Sequence, residues 1–171
     1  MKLFKPSSRV SVLFVCMGNI CRSPTAEGVF RRLVEQAGLR SQVLVDSAGT
    51  HDYHVGEPPD ERAQQHAARR GYDLRGLRAR QVCARDFERF DLLLAMDWAN
   101  LAVLEAACPP EHRHKLRRLM EFATRHRHDV VPDPYYGGPQ GFETVLDYLE
   151  DACAGLLTHL LERRVLVSGT S

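Results

Sequence analysis

The chain carries only three lysines, Lys2, Lys5 and Lys115, among its 23 basic residues, and its formal net charge is +1. With no surplus of either sign, the overall charge gives no reason to expect nucleic acid or an anionic membrane as a partner. Scarce lysine beside abundant arginine reads as coding bias rather than function. No run approaches the ~20 apolar residues of a membrane span, so no membrane insertion is expected. The opening residues, MKLFKPSSRV, lack an apolar core of signal-peptide length. Five cysteines, an odd number in a chain of 171 residues, argue against a disulfide framework and for reduced thiols in the cytoplasm. There is no internal repeat and no low-complexity segment. A composition of 44% hydrophobic and 26% charged residues is ordinary for one globular domain with a sizeable core.

What the sequence does contain is an alternation of apolar runs and helical patterns. Residues 9–15, RVSVLFV, read as a short buried strand. Ala26, Val29, Phe30, Leu33 and Val34 follow at helical spacing and stop at Gly38. A second strand is expected within 41–50. A helix is expected over 58–71, with Pro58 and Pro59 in or before its first turn and Gly71 after its end. A short helix within 78–90 leads into a third buried strand at 91–96. A helix over 97–108 is closed by Pro109 and Pro110, and a fourth strand lies within 114–122. Residues 125–141 read as loop, and 142–163 as a long final helix. This order predicts an α/β fold: a single domain over 1–171, with a four-stranded parallel sheet, helices on both faces, and frayed tails at 1–8 and 165–171. Ligands on such sheets sit at the carboxyl ends of the strands, which is where Cys16 falls.

The segment from Cys16 to Ser23, CMGNICRS, has the residues of an anion cup. A strand that turns tightly into a helix points successive N–H groups into one concavity, and the helix N-terminus adds unpaired N–H groups and partial positive charge. Gly18 and Asn19 suit positive φ angles. Ser23 suits the N-cap and Pro24 the first helical position. A helix N-terminus with nearby cations lowers a thiol pKa to roughly 3.5–7.5, which makes a thiolate the expected form of Cys16. Arg22 offers two parallel N–H donors to phosphate oxygens. A nucleophile under an anion cup with an arginine clamp is suited to attack on phosphorus. The nucleotide cradle G-x-x-x-x-G-K-S/T is absent. Zinc fits poorly, because Cys16 and Cys21 have no second ligand pair at finger spacing and Arg22 opposes a cation. No metal and no cofactor are expected.

At these residues the chain resembles the low-molecular-weight protein tyrosine phosphatases. VLFVCMGNICRSPTAE is similar to their signature, with Met17 where the family usually has Leu. DSAGTHDYHVGEPPDERA, RARQVCARDFERFDLLLAMDWAN and VPDPYYGG are similar to further family segments, so the likeness runs nearly the whole length. It implies a proton donor at Asp133, between Pro132 and Pro134. Asp129 is the local competitor, without flanking prolines or following tyrosines. It also implies that Tyr135 and Tyr136 form one wall of a slot for an aromatic ring, and that Tyr53 stands opposite. Met17, Gly18, Asn19, Ile20, Cys21 and Ser23 complete the substrate-binding set. Many relatives carry a histidine that braces the phosphate loop through the Asn and Ser; here that position is Leu77. The resemblance further suggests that Cys21 captures oxidised Cys16 as a disulfide, against the alternative that Cys21 only packs.

The activity implied is two-step hydrolysis of a phosphotyrosine protein or a small aryl phosphate. Cys16 acts as nucleophile, Arg22 as clamp and Asp133 as acid and then base, while Ser23 donates to the sulfur and Asn19 holds the turn. Three alternatives remain. An arsenate reductase needs a cysteine relay, for which only Cys83 and Cys108 are available. A phosphoarginine phosphatase tends to carry Thr where this chain has Ile20. A silent phosphotyrosine-binding module would be expected to lose Cys16 or Asp133. His112, His114, His126 and His128 read as solvated surface residues. Cys83, Cys108 and Cys153 read as buried small hydrophobes and Trp98 as packing, with Asp97 on the same side as the site. No oligomeric state follows from the residues.

Overall fold

A computed structural model describes residues 9–163. The expected frayed tails, 1–8 and 165–171, lie outside them. Four strands, β1 (Val10–Cys16), β2 (Val43–Gly49), β3 (Leu92–Ala95) and β4 (Leu116–Arg118), form one parallel sheet in the order β2-β1-β3-β4. All seven residues of β1 are buried, because alternate side chains enter two separate cores. Val12, Phe14 and Cys16 join the larger one, built with helices α1 (Arg22–Gln36) and α5 (Pro139–Glu162). Leu13 and Val15 point the other way, onto Phe87, Phe90 and Leu104. These come from helix α3 (Ala84–Arg89) with its C-cap, and from helix α4 (Trp98–Ala107). A strand buried on both faces needs a continuous apolar run rather than alternation, and VSVLFVC comes close to one.

The chain leaves β1, pairs β2 on one side, and returns through helix α2 (Glu61–Arg69) and α3 to place β3 on the other side. The carboxyl ends of β1 and β3 therefore flank the point where strand order reverses. The loops that leave them diverge and open a crevice there.

Several local expectations change. Helix α5 begins at Pro139, three residues before the expected start at 142, since proline suits the first helical position. Helix α1 begins at Arg22 with Cys21 as N-cap, so Ser23 is not the cap; its hydroxyl turns to Cys16 instead. Within 78–90 only Ala84–Arg89 is helical. The stretch before it is held extended: Arg80 gives its guanidinium to Asp46 and Asp86, and its carbonyl accepts from the Gly49 N–H. Cys83 is consequently an exposed N-cap residue and not a buried hydrophobe, whereas Cys108 and Cys153 are buried. Trp98 is 54% exposed and lies under the Arg118 guanidinium, with 4.0 Å from Cζ to the ring centroid.

Helix α5 packs tightly on the turn Leu119–Phe122. A Cβ at Gly155 would fall 1.8 Å from the carbonyl oxygen of Phe122. Gly→Ala inside a helix ordinarily stabilises by roughly 0.5–1 kcal/mol, but overpacking against backbone costs about 1–3 kcal/mol. Gly155→Ala should therefore lower the thermal midpoint by several degrees. A midpoint equal to or above that of the wild type would show that α5 can move away from the turn.

Candidate active site

The turn between β1 and α1 is shaped from its outer side. The carbonyls of Cys16, Met17 and Ile20 accept from the N–H groups of Thr50, His51 and Asp60, and the Cys21 carbonyl accepts from Thr25 Oγ1. In a trans peptide the carbonyl and the next N–H point opposite ways. The N–H groups of Met17, Gly18, Cys21 and Arg22 are thus directed away from these outer partners, toward the inside of the turn. Asn19 alone among the described non-glycine residues has positive φ, at 58°. Gly18 does not need that region. A Cβ at Gly18 would lie 2.9 Å from His54 Cδ2, so a side chain at this position would displace the His54 ring from the cleft wall.

Beneath the turn runs a chain of side-chain hydrogen bonds. Asn19 Nδ2 donates to Ser23 Oγ (2.8 Å) and Ser47 Oγ (3.0 Å), and its Oδ1 accepts from the Arg80 N–H (3.0 Å). Ser47 donates in turn to Glu27 Oε1 (2.7 Å), a buried carboxyl that Arg31 also pairs. Burial pushes the Glu27 pKa up, and the bonds from Ser47 and Arg31 work against that rise. Ser23 Oγ already accepts from Asn19, so its one proton can go to Cys16 Sγ at 3.0 Å or to the Ala48 carbonyl at 3.4 Å. The sulfur is the nearer acceptor. Ser47 and the Arg80 backbone brace Asn19 in place, and Leu77 donates no side-chain bond to it.

Arg22 is 2% exposed. Its Nη1 donates to Asp97 Oδ2 (2.7 Å) and the Val131 carbonyl (3.1 Å), and its Nη2 lies 3.7 Å from Asp133 Oδ2. Burial alone would lower the Arg22 pKa; the negative charge of Cys16, together with Asp97 and Asp133, overrides it and the net shift is upward. Asp97 is itself fixed, since its Oδ1 caps α4 by accepting from the Asn100 N–H (2.7 Å). Val131 is fastened to the end of β3 through its N–H to the Met96 carbonyl (2.8 Å). These bonds bring Asp133 to the thiol loop despite their distance in sequence.

Cys16, Met17, Gly18, Ile20, Cys21, Arg22, Tyr53, Asp133, Tyr135 and Tyr136 line one cleft of about 330 Å³, joined by His54. Asn19 and Ser23, expected among the substrate contacts, do not line it; both are buried beneath the turn. Tyr135 and Tyr136 meet edge to face at 4.9 Å, and Tyr53 stacks on His51 at 5.0 Å. Tyr53 and Tyr136 are 66% and 95% exposed, so their rings are available at the mouth. Neither cleft cysteine is in a disulfide; burial, then the charges of Asp60, Cys16 and Asp133, push the Cys21 pKa up. Sequence reasoning missed His54, whose one signal was its place beside Tyr53. It also gave Asp97 too little weight. Among the described residues no group of three His, Cys, Asp or Glu stands close enough to hold a metal ion. No helix there is long and apolar enough to cross a membrane.

A model of the low molecular weight phosphotyrosine protein phosphatase family matches residues 11–166. The chain belongs to that family. A relative from Synechocystis is 48% identical over 152 residues, covering 88% of this chain and 96% of that protein. The solved structure of a protein tyrosine phosphatase from Entamoeba histolytica, with Hepes in its active site, is 41% identical. It superposes with a TM-score of 0.88 over 91% of this chain and 99% of that one. A Drosophila arginine phosphatase is 36% identical, with a TM-score of 0.80 over 86% and 96% of the two chains. The family assignment agrees with the parallel sheet and with the loop that follows β1.

Ser47 is the single link between the buried Glu27 and Asn19. Ser47→Ala leaves a carboxylate oxygen without its donor, an effect of about 1–3 kcal/mol. Urea unfolding should show a loss of that size, with a several-fold fall in turnover per folded molecule. Unchanged turnover would mean that the bond chain stabilises the fold without setting the turn.

Proposed function

We propose that this chain hydrolyses phosphotyrosine in proteins, and small aryl phosphate monoesters, through a cysteinyl-phosphate intermediate. The observation that carries the reading is the convergence of Cys16, the buried and tethered Arg22, and Asp133 on one cleft with aromatic walls. Cys16 Sγ attacks phosphorus in line. The inward N–H groups and the Arg22 guanidinium meet the equatorial oxygens, where charge is carried, and so supply the positive potential that a metal provides elsewhere. The P–O bond breaks and Asp133, in its acid form, gives its proton to the leaving phenol oxygen. Water then attacks phosphorus, Asp133 takes a proton from it, and the P–S bond breaks. Ser23 donates a hydrogen bond to the departing sulfur. The rings of Tyr53, Tyr135 and Tyr136 suit a flat aryl group, and Ile20 gives the floor an apolar side chain where a guanidinium would want a hydroxyl. A cytoplasmic setting, which keeps the thiols reduced, suits this chemistry.

Cys16→Ser should abolish turnover while inorganic phosphate still binds, since the cup and Arg22 remain. Hydrolysis above a contamination control would remove Cys16 from the nucleophile role. Asp133→Ala should lower kcat/KM for aryl phosphates with poor leaving groups by ~10²–10⁴-fold, and far less for good ones. Equal losses across the series would remove Asp133 from the acid role. Phosphoarginine run beside the aryl series checks substrate class: a higher kcat/KM on phosphoarginine would reverse it.

A further inference from the structure

Arg62 stands in the first turn of α2 and does not line the cleft. Its guanidinium nevertheless makes three kinds of contact at once. Nε and Nη2 pair with Asp60 at 3.3 and 3.1 Å, the same residue that caps α2 by accepting from the N–H groups of Arg62 and Ala63. Nη2 also donates to the Tyr135 carbonyl at 2.9 Å. The guanidinium carbon lies 5.4 Å from the Tyr135 ring centroid and 4.9 Å from that of Phe142, in the first turn of α5. Phe142 is held in turn by His66, which stacks on it at 5.4 Å and pairs with Glu143.

Tyr135 connects this assembly to the reacting groups. Its N–H donates to Asp133 Oδ1 at 3.0 Å. On the strand side the acid loop is fastened at Val131. Beyond Asp133, the bond from Arg62 ties the loop to α2. Arg62 holds Tyr135 at both its carbonyl and its ring, which restricts the two backbone torsions between that carbonyl and the residue's own N–H, and that N–H orients the carboxyl.

We propose that Arg62 is a positioning residue for Asp133. By holding the Tyr135 carbonyl and ring, it keeps the Asp133 carboxyl within reach of the leaving oxygen. The proposal rests on the reading of Asp133 as the acid. The task requires a planar fork: lysine can carry the charge but cannot pair with Asp60, donate to a carbonyl and cover two rings together.

The test is a leaving-group series of aryl phosphates on Arg62→Ala, Arg62→Lys, Asp133→Ala and the double variant Arg62→Ala/Asp133→Ala. Arg62→Ala should lose about tenfold in kcat/KM on phenyl phosphate, a fraction of what the acid supplies. On a strongly activated aryl phosphate it should lose about twofold or less. Inhibition by inorganic phosphate should stay within about twofold of wild type, and Arg62→Lys should recover little. In the Asp133→Ala background, adding Arg62→Ala should not steepen the series further. The slope compares substrates within one variant, so partial misfolding does not alter it. Equal losses on all leaving groups, or a slope that still steepens without Asp133, would overturn the proposal. If Asp133→Ala alone shows no selective loss, the acid reading itself fails and Arg62 has no acid to position. A selective loss for Asp133→Ala with none for Arg62→Ala refutes the positioning role only.

Discussion

The site depends on keeping one cation almost out of water. A buried guanidinium is costly unless every side of it is answered by charge or hydrogen bonds. Arg22 is answered by Asp97 at the end of β3 and by the Val131 carbonyl at the start of the loop that carries Asp133. Its position therefore ties together three segments that leave the sheet at the same edge. Without Asp97 the arginine would lack its closest partner. Without Arg22, the Val131 carbonyl and the Asp133 carboxyl would lose the group that draws their loop toward the thiol. The topology makes this possible, because β1 and β3 are neighbours whose following loops diverge.

A second constraint acts from below. The chain from Glu27 through Ser47 and Asn19 to Ser23 gives each hydroxyl one acceptor and one donor role. The buried carboxyl of Glu27 fixes the direction of the first bond, and the others follow from it. Asn19 is held on its other side as well, away from Leu77. The Arg80 backbone N–H satisfies the Asn19 oxygen, and Arg80 is itself locked between Asp46 and Asp86.

The parts of the molecule most legible in the sequence were those whose causes are local. The buried strand before Cys16, the turn into a helix and the stiff Pro132-Asp133-Pro134 loop each carry their reason within a few residues. The misreadings share the opposite property. Ser23 is a good N-cap by type, but its hydroxyl is claimed by a sulfur seven positions back and an amide four back. Residues 78–83 have a helical composition, yet Arg80 finds its partners on β2 and α3. Trp98, read as packing, does pack, but on one face only, under Arg118 of β4. Asp97 and His54 drew little attention because what they touch, Arg22 and the face of Gly18, is set by folding and not by spacing.

The outward carbonyls of the β1–α1 turn have a further consequence. Thr50 and His51 come from the end of β2, and Asp60 from the cap of α2, so two separate elements grip the outside of the cup. The cup's curvature is then fixed as the protein folds, and the conformational entropy of ordering those peptide groups is lost once, not at each encounter with a ligand. Such a preorganised cradle discriminates by shape more than by adaptation. A planar carboxylate would leave some of the cradle's inward N–H groups unmet, where a tetrahedral oxyanion would not.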